Sequence, residues 1–199
     1  MIPPPIILAS KSQARRAVLT GAGVDFSIVD SDVDEDVVKT KVMQAGGTPK
    51  SVAEVLAETK AVKVSQKRLG LVIGADQTLE FSGQLYDKTP TLAEARQRLK
   101  TLRGATHSLH SAVAVAEGGS VIWCQTVSAT LTMRPFSDIF LERYLESEGQ
   151  HALGSVGCYR LEGLGAQLFS EIQGDYFTIL GLPLMGLLDL LRRRGAMAS

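Results

Sequence analysis

The chain has 199 residues, 45% of them hydrophobic, enough to bury a sizeable core without disulfides or a structural metal. Its 21 basic and 21 acidic residues cancel, so no global field draws it to nucleic acid or to an anionic membrane, and any anion site is local. Cys124 and Cys158 fit neither a metal knuckle nor a redox pair, no run nears the roughly 18 apolar residues of a membrane span, and MIPPPIILAS lacks the basic flank of a leader; a soluble cytoplasmic protein is expected.

In chain order, Ile6, Ile7 and Leu8 predict a short buried strand that ends in Ala9, Ser10, Lys11 and Ser12. Ser12 is a candidate N-cap for a helix with Val18, Leu19 and Ala22 on its apolar face, closed by Gly21 and Gly23. A strand that feeds a hydroxyl-rich loop into a helix N-terminus offers free backbone N–H groups to an anion. Lys11, Arg15 and Arg16 add cations there, so a phosphate or polyphosphate fits, although the glycines of a Walker loop are missing. The bland alternative is a strand-to-helix turn with a solvated basic face.

Phe26, Ile28 and Val33 alternate with polar residues and predict a second strand over Asp25 to Val33. The acids Asp32, Asp34, Glu35 and Asp36 follow, as a solvated strand end or a helix N-terminus; beside a phosphate loop, Glu35 is also a candidate ligand for a divalent cation. After the turn at Gly46 to Pro49, Ser51 is read as the cap of a helix carrying Val52, Val55, Leu56, Ala61 and Val64. Lys60 lies in it and, taken alone, reads as a solvated surface lysine. Leu71 to Ile73 predict a central buried strand ended by Gly74, Ala75, Asp76 and Gln77, which puts Asp76 where open α/β sheets place their ligands.

Ser82-Gly83 predicts a hairpin, and Lys88 follows it. Thr91 caps a helix from Leu92 to Leu102, stopped by Gly104; two strands, His107 to Ala116 and Val121 to Met133, are joined at Gly118-Gly119. His107 and His110 lack an acid nearby in sequence and read as structural. Ser137 starts a helix from Asp138 to Glu146, and a glycine-rich run follows in which Arg160 and Glu162 alternate as in a strand. The chain closes with Phe177 to Leu180, a turn at Gly181 to Pro183, and an apolar helix from Leu184 ending in Arg192, Arg193 and Arg194.

The succession LASKSQARR, VDE at Val33 to Glu35, LAETKA at Leu56 to Ala61, IGAD at Ile73 to Asp76 and GDYFTILGLPL at Gly174 to Leu184 resembles the Maf family of nucleoside triphosphate pyrophosphatases over nearly the whole chain. The resemblance implies a single α/β domain, an elongated mixed sheet flanked by helices with two lobes around a central cleft, often as a homodimer. It implies hydrolysis of a nucleoside triphosphate to the monophosphate and pyrophosphate with magnesium or manganese, clearing modified nucleotides. By matching positions, Ser10, Ser12 and Arg15 bind phosphate, Glu35 and Asp76 hold the metal, and Asp76, Lys60 and Lys88 are catalytic. An unperturbed aspartate is a feeble base at neutral pH, which favours a metal-assisted role for Asp76.

Pyrimidine-preferring members resemble GKAGAYGIQG in the late glycine run. This chain reads GSVGCYRLEG, with Ser155 for the lysine, Glu162 for the glutamine, and Gln77 after Asp76 in place of a threonine. Glu162, Arg160 and Gln77 resemble the branch that prefers 7-methyl-GTP, although Ala14 stands where that branch has tryptophan and Lys88-Thr89 replaces its lysine-proline pair. The alternatives are a pyrimidine pyrophosphatase and a non-catalytic nucleotide-binding regulator of cell division.

Overall fold

Ile6–Leu8 forms β1, buried at all three positions, in the computed structural model, which describes residues 3–198. Ser12 caps α1 (Gln13–Gly21), its hydroxyl accepting from the Arg15 N–H at 3.4 Å. The strand expected over Asp25 to Val33 shrinks to β2 (Ser27–Ile28), exposed at both residues. It lies at the outer edge of the sheet, where only the short β1 offers a ladder.

Two elements follow that apolar periodicity alone places poorly. Asp34 caps α2 (Glu35–Gln44), a helix with no buried residue, so no apolar stripe announced it. Its signal was the cap and the two acids in its first turn. The next helix, α3 (Pro49–Ser65), is capped by Thr48 and not by Ser51. Pro49 fits the first helical position, and Ser51 closes a capping box by accepting from the Thr48 N–H at 2.8 Å.

The central strand β3 (Leu71–Phe81) does not stop at Asp76: β5 (Thr106–Glu117) pairs with it from Val72 to Glu80 and carries Asp76 and Gln77 inside the ladder. On its other edge β1 pairs only as far as Ile73, and β4 (Gln84–Tyr86) only from Leu79. The stretch between them, with Asp76 at its centre, has no strand beside it on that edge. With β6 (Ser120–Met133) and β7 (Phe169–Gln173) the seven-stranded mixed sheet runs β2-β1-β3-β5-β6-β7, with β4 beside β3. The β5–β6 hairpin, α4 (Leu92–Leu102) capped by Thr91, and α5 (Asp138–Glu148) capped by Ser137 all form as read.

Two apolar cores flank this frame. One gathers Leu8, Leu19, Leu71 and Ile73 under α1 and α7 (Leu184–Arg193); the other gathers Leu79, Leu99, Leu131 and Tyr144 under α4 and α5. Between sheet and α3 the contact is made of small residues, Ala53, Ala57 and Ala61 against Ala112, Ala114 and Ala116. Gly74 belongs to the same contact: a Cβ there would stand 2.1 Å from the Ala57 carbonyl oxygen. Among the described residues no helix is long and apolar enough to cross a membrane.

The strand expected around Arg160 and Glu162 is absent. The run folds into turns between two 3-10 helices, Gly149–Gly154 and Leu164–Leu168, with Cys158 at φ 59°. Gly165 lies so close that a Cβ would meet the Arg160 carbonyl oxygen at 2.4 Å, which explains part of the glycine content.

His107 packs among Tyr159 and Phe169, its Nε2 2.7 Å from the Tyr159 hydroxyl and its Nδ1 without a partner. His110 finds the acid that local sequence lacked, Glu80 at 3.0 Å, across the ladder. Burial pushes the His107 imidazole down to about 4. The unfolded chain therefore takes up a proton from pH 6.5 downward that the folded chain refuses until about 4, so stability falls as pH drops through that window, by roughly 3 kcal/mol in full. Urea unfolding at several pH values is expected to show a shallower loss in His107→Gln than in the parent; equal slopes would refute the assignment.

Candidate active site

A cleft of about 1340 Å³ opens at the unpaired edge of β3, between the two cores. It is lined by Ser10, Ser12, Ala14, Arg15, Glu35, Lys60, Asp76, Gln77, Lys88, Arg160 and Glu162, so the structure brings every candidate from the sequence to one place. Arg16 is not in the lining, and its Nε is buried without a partner.

At the floor, Lys60 is buried, contrary to its reading as a solvated lysine. The small-residue contact lets α3 lie close on the sheet and aims Lys60 at Asp76. Lys60 Nζ stands 2.7 Å from Asp76 Oδ1 and 2.6 Å from Glu35 Oε1, so one ammonium serves two carboxylates. Burial pushes the Asp76 carboxyl above its ordinary value, with Lys60 and Arg15 pulling the other way. Burial also acts upward on Glu35, but Lys60, with Lys39 and Lys88, outweighs it and holds that carboxyl low. The two acids differ in kind: Asp76 holds a proton more readily than a free aspartate, while Glu35 stays ionised.

The loop after β1 supplies the opposite charge. Arg15 is buried, donates from Nε to the Gly181 carbonyl at 2.8 Å and from one terminal nitrogen to Ser10 Oγ at 3.2 Å. Burial lowers its pKa, opposed by Asp76 and Glu35. Ser10 Oγ also accepts from the Ser12 N–H at 3.3 Å, which shapes the loop at the α1 N-terminus. Lys88 enters from the segment after β4, its ammonium depressed by burial and by nearby Arg15.

Asp76 and Gln77 point to opposite faces of β3, as strand alternation requires. Gln77 donates from Nε2 to Ser111 Oγ and to the carbonyls of Thr178 and Ile179, so its amide nitrogen is committed to holding α6 (Tyr176–Ile179). Arg160 sits between Glu162, at 3.3 Å, and the buried Glu148, also at 3.3 Å. Glu162 thus has a cation beside it at the cleft wall while remaining exposed.

The wall that carries Glu35 is held by ion pairs. Lys11–Asp30 and Lys60–Glu35, each at 2.6 Å, and Lys39–Asp87 at 2.7 Å tie the segment from residue 30 to residue 39 to its surroundings. Lys39 was missed in the sequence, although its place four residues after Glu35 puts it on the same face of α2.

The donor set suits a divalent cation. Glu35 and Asp76 approach each other from two elements with the Lys60 ammonium between them, and hard cations such as magnesium take one or two carboxylates together with phosphate oxygens. Glu35 and Asp76 are two donors only; the cluster of three metal-donor residues among those described, Glu54, Glu58 and Cys124, lies outside the cleft.

A family model described as Maf-like protein matches residues 5–194. The chain is 58% identical to a protein of Caulobacter vibrioides named nucleoside triphosphate pyrophosphatase, covering 97% of each chain. It is 48% identical to one of Granulibacter bethesdensis with the same name, over 96% of this chain and 98% of that one. It is 46% identical to a protein of Brucella abortus named 7-methyl-GTP pyrophosphatase, over 94% of this chain and 95% of that one. With the match running through β1, the cleft and α7, this chain belongs to the Maf-like protein family.

Proposed function

We propose that this chain hydrolyses a nucleoside triphosphate to the monophosphate and pyrophosphate with a divalent cation, and that its preferred base is a modified purine such as 7-methylguanine. The observation that carries the reading is the pair of carboxylates, Glu35 and Asp76, meeting one buried ammonium at the foot of a cationic, N–H-rich loop. The names of relatives at 46 to 58% identity support the reaction, and one of those names supports the base.

Ser10, Ser12, Arg15 and the first N–H groups of α1 would cradle the triphosphate, and Lys88 would neutralise the charge that gathers around the attacked phosphorus. Glu35 and Asp76 would hold the cation, which when bound supplies Lewis acidity and charge neutralisation. Asp76 would accept the proton of the attacking water. Burial acts upward on its carboxyl, with Lys60 and Arg15 acting downward, which supports a role in taking up that proton. Lys60 would keep both acids oriented. The bond between the α-phosphorus and the bridging oxygen breaks, and pyrophosphate leaves. At the other end, Glu162, fixed by Arg160, would accept from guanine N–H groups and offset the charge of a methylated ring.

The test is pyrophosphate release from 7-methyl-GTP, GTP, dTTP, UTP and CTP with magnesium, with manganese and with a chelator. Release from 7-methyl-GTP is expected to exceed the others about tenfold or more and to vanish with the chelator. A pyrimidine preference would overturn the base reading, and no release from any of the five would overturn the reaction.

A further inference from the structure

The cleft has two walls that no ladder joins. β4 ends at Tyr86 and pairs only with β3, and the segment that follows it carries Lys88; the turns from Ser155 to Glu162 belong to no strand. Arg98, on α4 and outside the cleft lining, reaches both. One of its terminal nitrogens donates to the Asp87 carbonyl at 2.9 Å and to the Val156 carbonyl at 2.7 Å. Its guanidinium lies over the Tyr86 ring, 4.5 Å from the centroid, which fixes the plane of the fork. Beside it the buried Thr89 hydroxyl meets Cys158 Sγ at 3.2 Å, a second tie between the same two segments.

The wall formed by the turns from Ser155 to Glu162 is also tied within itself and to α5. Ser155 Oγ donates to the Tyr159 carbonyl at 2.8 Å and accepts from the Tyr159 N–H at 3.0 Å; the Tyr144 hydroxyl donates to the Cys158 carbonyl at 3.1 Å. The loop is thus tied within itself and to α5, and the carbonyl that Arg98 holds belongs to that loop. A chain of contacts runs from Val156 through Arg98 to Asp87, the residue next to Lys88.

We infer that Arg98 is a positioning residue that fixes Lys88 against the loop bearing Arg160 and Glu162, so that occupancy of the base end of the cleft sets the placement of the lysine at its phosphate end. The inference rests on the proposed function for its kinetic consequence and on geometry alone for the coupling. Arg98 touches no cleft space, so its loss acts on alignment and not on contact with a ligand.

The variants are Arg98→Met, which keeps the aliphatic stem and removes the donors, and Arg98→Lys, whose ammonium can still donate to two carbonyls. Backbone amide exchange is expected to quicken together in residues 87–89 and 155–160 of Arg98→Met, with Arg98→Lys close to the parent. On a triphosphate the parent cleaves, Arg98→Met is expected to lose about tenfold in kcat with KM within about threefold, and Arg98→Lys to recover most of it. Faster exchange confined to α4, or kcat unchanged in Arg98→Met, would overturn the inference. If the parent cleaves no triphosphate the proposed reaction falls, and amide exchange alone decides the coupling.

Discussion

Asp76→Asn is expected to cut pyrophosphate release by about 10³-fold while the protein stays folded and keeps its stability within about 1 kcal/mol. The substitution is nearly isosteric, and it removes a buried carboxylate whose proton affinity burial raises. Burial of the charged form costs free energy that an amide does not incur, so losing the charge is not a loss of stability in itself. Lys60 keeps Glu35 at 2.6 Å, so the ammonium is not stranded. Pyrophosphate assay and urea unfolding on the same sample separate the two readouts. Parental turnover in this variant would remove Asp76 from the chemistry.

Lys60→Met is expected to behave in the opposite way. Its side chain is 7% exposed and that of Asp76 10%, so deletion of the ammonium leaves a buried carboxylate facing a second one with no cation between them. Breaking a buried pair from one side costs about 3 kcal/mol or more. The double variant, Lys60→Met with Asp76→Asn, leaves only Glu35, whose side chain is 46% exposed and able to hydrate. It should regain most of the loss, and chelator should be present so that no cation stands in for the lysine. Urea unfolding of the two single variants and the double one closes the cycle; a Lys60→Met midpoint at the parental value would show that the triad is not coupled. Turnover falls in all three, so stability is the discriminating measurement.

The contrast between these variants also marks what a linear sequence conceals. The strand-loop-helix from Ile6 to Arg16 was legible because each residue there acts locally: an apolar run, a hydroxyl cap, cations beside free N–H groups. So were the β5–β6 hairpin and the caps at Thr91 and Ser137. The burial of Lys60 was not legible from its own helix, because it depends on Gly74 and on alanines of β5 far along the chain. The helix α2 escaped periodicity because none of its residues is fully buried, and the ion pairs of Glu35 and Lys39 leave no apolar stripe. The turns around Arg160 share a strand's alternation of residues but have no strand to pair with among the described residues. Asp76 lines the cleft although the strand does not end there as expected: the neighbour β1 stops short, and β3 itself goes on.

The alanine and glycine contact between α3 and the sheet serves as a ruler. A lysine side chain has a fixed reach, so the distance from ammonium to carboxylate at the cleft floor is set by how far the helix axis stands above β3. That height is set in turn by atoms the substrate never meets, since Ala57 and Ala61 line no part of the cleft. A chain could keep every charged residue of the site and still lose the geometry through one added methyl group at Gly74, where the Ala57 carbonyl leaves no room. The chemistry of the cleft is in this sense calibrated by the thickness of a layer that carries no charge at all.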